Sequence, residues 1–184
     1  MSPGDKPATS DELIAAMRGR AAEDVAPATE ADLVAAESAL GFDLFPLHRR
    51  LLAEIQNGGF GPGFGIIGTD TGFLDDDSGS VVTGTRRLDL PRPLVVLCNW
   101  GCGTWSCVDS RDGRVVTCDG TWGLTDLGQG LASWLADWLA HVDLRARMYE
   151  RGTRMGLNPF TREPIEMSYS VRALGIPYVP GGEE

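Results

Sequence analysis

Residues 40–68 read LGFDLFPLHRRLLAEIQNGGFGPGFGIIG, and the fold is decided by this stretch. Pro46 lacks an amide hydrogen and holds φ near the helical value, so it suits the first turn of a helix. Leu47, Leu51, Leu52 and Ile55 then fall on one arc at helical spacing. Asn57 and Gly58 stop that helix, because glycine takes the left-handed conformation that closes a helix end. Gly58, Gly59, Gly61, Gly63 and Gly65 leave Phe60 and Phe64 as the bulky side chains of the next turn. The chain is expected to reverse there and to enter a strand through Ile66 and Ile67.

Working outward, Thr29 and Asp32 stand at capping-box spacing before a helix over 30–40, whose Leu33, Ala36 and Leu40 form one stripe and which Gly41 ends. Earlier still, Ser10 or Asp11 is placed to cap a short helix through Leu13, Ile14 and Met17 that fades at Gly19. Downstream, TDTGFLDDDSGSVVTGTRR at 69–87 is dominated by turn formers and charge and is expected to be a surface excursion. Leu94 to Cys98 is a continuous apolar run suited to a strand covered on both faces. Residues 104–108 and 114–118 flank Asp112 and Gly113, a direct hairpin signal, which places the core of the sheet at 94–118. Asp126 precedes Gln129 at capping-box spacing, and Leu131, Trp134, Leu135, Trp138, Leu139 and Val142 repeat at helical period in a helix expected to reach about Tyr149.

The class that follows is α+β, a mostly antiparallel sheet with helices packed on it. Three stretches are expected: a flexible arm with a short helix over 1–24, the α+β domain over 25–143, and a C-terminal extension over 144–184. Phe160, Pro164, Tyr169, Pro177 and Tyr178 are candidate anchors that would dock the extension onto the domain. At 184 residues the chain suits one domain, and 42% apolar with 23% charged residues are globular proportions. No apolar run is long enough to span a bilayer, and residues 1–12 lack the basic start and apolar core of a secretion signal, so the expected compartment is the cytoplasm. The formal charge of −10 opposes binding to phosphate backbones and suits either simple solubility or a basic partner, so neither nucleic acid nor membrane is expected as a partner.

A helix opened by proline after LGF, followed by RRLL and NGGFGPGFGIIG, resembles the SUKH superfamily, which holds the Smi/Knr cell-wall-synthesis regulators and many bacterial toxin-immunity proteins. Pro46, Asn57, Gly58, Gly59 and Gly61 carry that mark. CNWGCGTWSCVD from Cys98 to Asp109 and the Trp-rich segment from Leu131 to Leu139 extend the resemblance over roughly residues 29–140. His48 departs from it, since an aliphatic residue commonly occupies that position in such proteins.

The residues that could carry chemistry are few. Cys98, Cys102, Cys107 and Cys118 could bind zinc as thiolates, but their spacings are not the paired C-x2-C type of zinc knuckles, and buried reduced thiols behaving as small hydrophobes are the favoured reading. Gly63, Gly65 and Gly68 satisfy G-x-G-x-x-G in letter, yet they follow a helix and lead into a strand, the reverse of a dinucleotide fingerprint. His48 lies within an apolar arc, where a satisfied, partly buried histidine is expected. His141 falls in the last turn of the Trp helix, where a cation suits the dipole. Ser106 lacks the hydrolase elbow. Asp70, Asp75, Asp76 and Asp77 form an acidic loop that could steer a basic partner, and Trp100 and Trp122, at strand ends and turns, are the aromatic candidates for an interface; Trp105 shares that placement.

The expected function is therefore non-catalytic protein binding without a cofactor. What the resemblance implies is an immunity protein that neutralises a bacterial toxin, possibly a nuclease, by direct binding. Two alternatives stand beside it: a small metal- or thiol-dependent enzyme using the Cys98 to Cys118 cluster, and a housekeeping interaction module of the cell-wall-regulator type.

Overall fold

The computed structural model describes residues 9–21 and 25–180. Its helices are α1 (Ser10–Arg18), α2 (Glu30–Leu40), α3 (Pro46–Glu54), α4 (Val81–Arg87) and α5 (Leu131–Leu139). Its strands are β1 (Leu94–Gly101), β2 (Thr104–Asp109), β3 (Arg114–Asp119), β4 (Gly123–Gly130), β5 (Tyr149–Leu157), β6 (Pro164–Ala173) and β7 (Ile176–Pro177). One antiparallel sheet has the order β1-β2-β3-β4-β7, and β5 and β6 form a separate two-stranded sheet. The molecule is thus α+β, with helices against a meander of hairpins.

The expected signals act where they were read in three of these elements. Thr29 accepts from the Asp32 amide while Asp32 accepts from the Thr29 amide, a reciprocal capping box that starts α2. Pro46 opens α3, and Leu47, Leu51 and Leu52 are buried along its inner arc. Val115 pairs with Val108 across a turn in which Gly113 has φ 75°. Burial of the apolar arcs against β1, every residue of which from Leu94 to Asn99 is buried, supplies the main stabilisation at roughly 25 cal/mol per Å².

Elsewhere the structure corrects the reading. α1 lies where the short helix was expected but is capped by Thr9 rather than by Ser10 or Asp11, and its Leu13, Ile14 and Met17 are buried in the main core, so this part of the arm is docked. Residues 1–8 and 22–24 of that arm lie outside the described residues. Ile66 and Ile67 are buried but make only an isolated bridge, Ile66 to Cys98, because the Ile66 amide and carbonyl are taken by Phe60 and Gly59 within the glycine loop. The surface excursion contains α4, whose Val81, Val82, Gly84 and Thr85 are buried, with Ser80 and Thr83 forming its capping box.

Asp126 and Gln129 belong to β4, not to a helix cap; α5 starts after Gly130 without a side-chain cap. α5 ends at Leu139, well short of Tyr149, which instead begins β5. The extension does dock, but only at its two ends. Tyr149 at the foot of β5 is buried, and beyond β6 the β7 strand pairs with β4 and buries Tyr178 in a small cluster with Leu94, Cys107 and Val116. Tyr178 is the one expected anchor that is buried; Phe160 is 93% exposed.

Candidate protein-binding face

Asn99, buried near the end of β1, joins two loops distant in sequence. Its side-chain amide donates to Asp75 Oδ1 and Oδ2 at 3.1 and 3.0 Å and to Asp77 Oδ2 at 3.1 Å, while its Oδ1 accepts from the Gly101 amide at 2.7 Å. Its backbone carbonyl accepts from the Phe64 amide at 2.9 Å. The β1–β2 pairing shifts register between Asn99 and Gly101, the kind of local irregularity that re-aims side chains at a strand end. The glycine loop and the acidic turn are therefore both fastened to one buried residue, the first through its backbone carbonyl and the second through its side-chain amide.

The four aspartates divide. Asp75 is buried, and its Oδ1 also accepts from the Asp77 amide and from the Ser78 amide and hydroxyl, so it holds the turn together and is not available to a partner. Asp70 accepts from the Ser80 hydroxyl at the start of α4. Asp70, Asp76 and Asp77 are all exposed at the surface, and the last two belong to the turn that Asn99 holds. The same face carries Phe64, 62% exposed, whose ring lies over Gly101. Phe64 was not singled out as a binding residue, although a lone aromatic between glycines was the available signal.

Behind this face the glycine loop is held by Asn57. Its carbonyl accepts from the Phe73 amide at 2.8 Å, its Oδ1 accepts from the Thr69 amide at 2.9 Å, and its Nδ2 donates to Thr69 and Thr71. Gly58, Gly59 and Gly61 have φ of 86°, 82° and 96°, values that side-chain-bearing residues rarely adopt. At Gly58 a Cβ would stand 2.5 Å from the Gly68 amide nitrogen.

The tryptophans also differ in role. Trp100 is half-buried, donates to Ser106 Oγ at 2.9 Å and meets Trp134 edge to face with centroids 6.3 Å apart, so much of its ring serves the core. Trp105 is half-buried. Trp122 is 38% exposed and stands at the rim of a cleft of about 430 Å³ between the foot of the β5–β6 ribbon and the sheet. Tyr149, Arg145 and Arg151 line that cleft together with Asp119. Burial works to raise the Asp119 carboxyl, but donation from the Tyr149 hydroxyl at 2.6 Å, the Thr121 and Trp122 amides and Thr104 outweighs it and holds the group below the usual carboxylate range.

The residues weighed for other chemistry are dispersed. Cys98 and Cys107 are buried and Cys102 is exposed; burial pushes the Cys98 thiol up to about 12 and the Cys107 thiol higher than usual. Among the described residues no three His, Cys, Asp or Glu side chains gather as metal ligands. His48 is fully buried rather than partly so, with no hydrogen-bond partner for either ring nitrogen among the described residues, and burial lowers its pKa to about 4. It is not the satisfied histidine expected, because its α3 position faces the apolar core. His141 lies just past α5, where its Nε2 accepts from Arg20 at 3.3 Å. No helix among the described residues is long and apolar enough to cross a membrane.

A meander of antiparallel hairpins, a proline-opened helix and a glycine loop clasped by a buried asparagine define an α+β domain with a loop-built surface. The sequence profile of the SMI1/KNR4 family (SUKH-1) matches residues 27–140, and the chain belongs to this family. No significant match is found among curated proteins or among solved structures.

Proposed function

We propose that the chain is a non-catalytic protein-binding module that neutralises a basic toxin domain by direct binding. The observation that carries this reading is the face built on buried Asn99, whose backbone carbonyl holds the Phe64 amide and whose side-chain amide holds Asp77, with the exposed Asp76 beside it. A rigid apolar centre favours slow release, and acidic groups beside it raise the encounter rate with a basic surface. Membership of the SUKH-1 family supports an immunity or Smi1/Knr4-type module.

The test uses purified full-length chain as bait, at low and moderate salt, beside a variant with Phe64→Ser, Asp76→Ala and Asp77→Ala. The expected result is retention of a basic protein whose toxic activity the chain inhibits at equimolar amount, with both effects reduced in the variant. Retention of a non-toxic partner would assign the housekeeping role instead, and equal behaviour of the variant would remove this face from the account.

A further inference from the structure

The chain's negative charge is not spread over its whole length. Between residues 145 and 172 there are six arginines and three glutamates, a local balance of +3, which leaves −13 for the remainder of a chain totalling −10. This basic segment is the β5–β6 ribbon and its foot. Nine residue pairs, from Tyr149 with Ala173 to Leu157 with Pro164, make a ribbon roughly 30 Å long at about 3.3 Å per residue. It pairs with no strand of the larger sheet, and most of its side chains are exposed on both faces.

Arg147 and Arg172 are engaged by Asp137 and Glu150. Arg151, Arg154 and Arg162 are exposed and pair with no carboxylate among the described residues. Arg151 and Arg154 are three apart on one strand, so they leave opposite faces. Arg154 lies over the Tyr169 ring, 5.4 Å from its centroid, which orders that guanidinium without neutralising it. Arg162 sits beside the tip, and Arg145 and Arg151 continue the basic track into the cleft at the foot.

The tip itself is a fixed apolar wedge. Asn158 Oδ1 accepts from the Phe160 and Thr161 amides at 2.9 and 3.2 Å, and Asn158 closes the turn with backbone bonds to Arg162 and Glu163. These bonds hold Pro159 and Phe160 outward, with Phe160 93% exposed. Arginines along an unpaired ribbon discourage edge-to-edge association, but that purpose does not require an ordered, exposed Pro-Phe tip.

We infer that the β5–β6 ribbon binds double-stranded DNA without sequence preference, its arginines meeting phosphates on both walls of a groove and Phe160 wedging between base steps. Two-stranded β-ribbons enter the major or the minor groove, and apolar side chains inserted between base steps from the minor groove kink the duplex toward the major groove. This departs from the expectation that net charge excludes nucleic acid. Binding depends on local charge when the contacting element stands away from the acidic body.

The experiment measures fluorescence anisotropy of a labelled mixed-sequence duplex with the full chain, and with Arg151→Gln, Arg154→Gln and Arg162→Gln combined. Three phosphate contacts predict about 40-fold weaker binding between roughly 50 and 200 mM salt, and the triple variant should lose at least about tenfold at low salt. Phe160→Ala should retain affinity near that of the parent but bend the duplex less, read by energy transfer between its ends. All four side chains are exposed, so unchanged melting temperatures should accompany these losses. No salt-dependent binding by the parent, equal binding by the triple variant, or equal affinity for the single strand would overturn the inference. So would self-association by sedimentation that the triple variant abolishes while neither protein binds duplex, which would give the ribbon the acidic body of a second copy as its partner.

Discussion

The Asn99 side-chain amide lies 3.1 and 3.0 Å from the two carboxylate oxygens of Asp75, and both residues are buried. A buried carboxylate is stable only while donors surround it, and Asn99 is the donor that comes from another element. Asn99→Leu should therefore cost roughly 2–4 kcal/mol, whereas Asp76→Ala, on the exposed side of the same turn, should stay within about 0.5 kcal/mol. Urea unfolding of both variants checks this, and equal costs would show that the turn does not depend on the asparagine.

Two glycines separate steric from conformational cost. Gly58 and Gly103 both have positive φ, but a Cβ at Gly58 would meet the Gly68 nitrogen at 2.5 Å and the Ile66 oxygen at 2.7 Å, while one at Gly103 meets nothing within 4 Å. Gly103→Ala should cost about 1 kcal/mol from backbone strain alone. Gly58→Ala should cost about 3 kcal/mol or more, because backbone atoms on both sides must move. Thermal melts of the pair give the difference directly.

His48 makes stability depend on pH in a defined direction. Its folded pKa is about 4 against an ordinary value of 6.5, so the unfolded chain takes up a proton that the folded chain refuses. Its effect is absent above about pH 6.5 and grows unfavourable as pH falls toward 4, reaching roughly 3 kcal/mol. His48→Leu should flatten the stability curve over that window and raise stability at neutral pH, since it removes two buried ring nitrogens without partners. Denaturation at pH 7 and pH 4.5 compares the two proteins.

Tyr178 fastens the chain beyond the ribbon to the body. Its hydroxyl donates to Asp109 Oδ2 at 2.9 Å, and its amide donates to the Leu124 carbonyl at 3.0 Å. Burial works to raise the Asp109 carboxyl, but Arg111 and Tyr178 outweigh it and hold the group below its usual range. A carboxylate so lowered stabilises the fold above its unfolded pKa and loses that contribution as pH falls through the folded one. Tyr178→Phe should cost about 1–2 kcal/mol near neutrality. It should also move the acid unfolding transition to higher pH, visible by circular dichroism.

Particular residues explain what could be read in advance. Pro46, the Thr29–Asp32 capping box and the Asp112–Gly113 turn act through covalent geometry and hydrogen bonds a few residues long, so their signals survive without a tertiary context. α4 was hidden because Val81, Val82, Thr83 and Gly84 are weak helix formers; what holds them is burial against β1, where the Val96 amide donates to Thr85 at 3.1 Å. β4 reads GLTDLGQG, poor strand material that pairs because β3 offers a complete edge. Of the binding face, Asp76 and Asp77 were legible as charge, but Asp75 turned inward and Phe64 entered only through the glycine loop.

The sequence by itself determined the family, the α+β class, the hairpin order and the glycine loop, since periodicity, turn chemistry and caps are local properties of the chain. Only the tertiary structure decided which aspartates face solvent, that Asn99 joins two loops, and that a basic ribbon stands apart from an acidic body. Those outcomes depend on contacts between residues tens of positions apart and on the accessibility of each charge, and neither quantity is written in any local stretch of the chain.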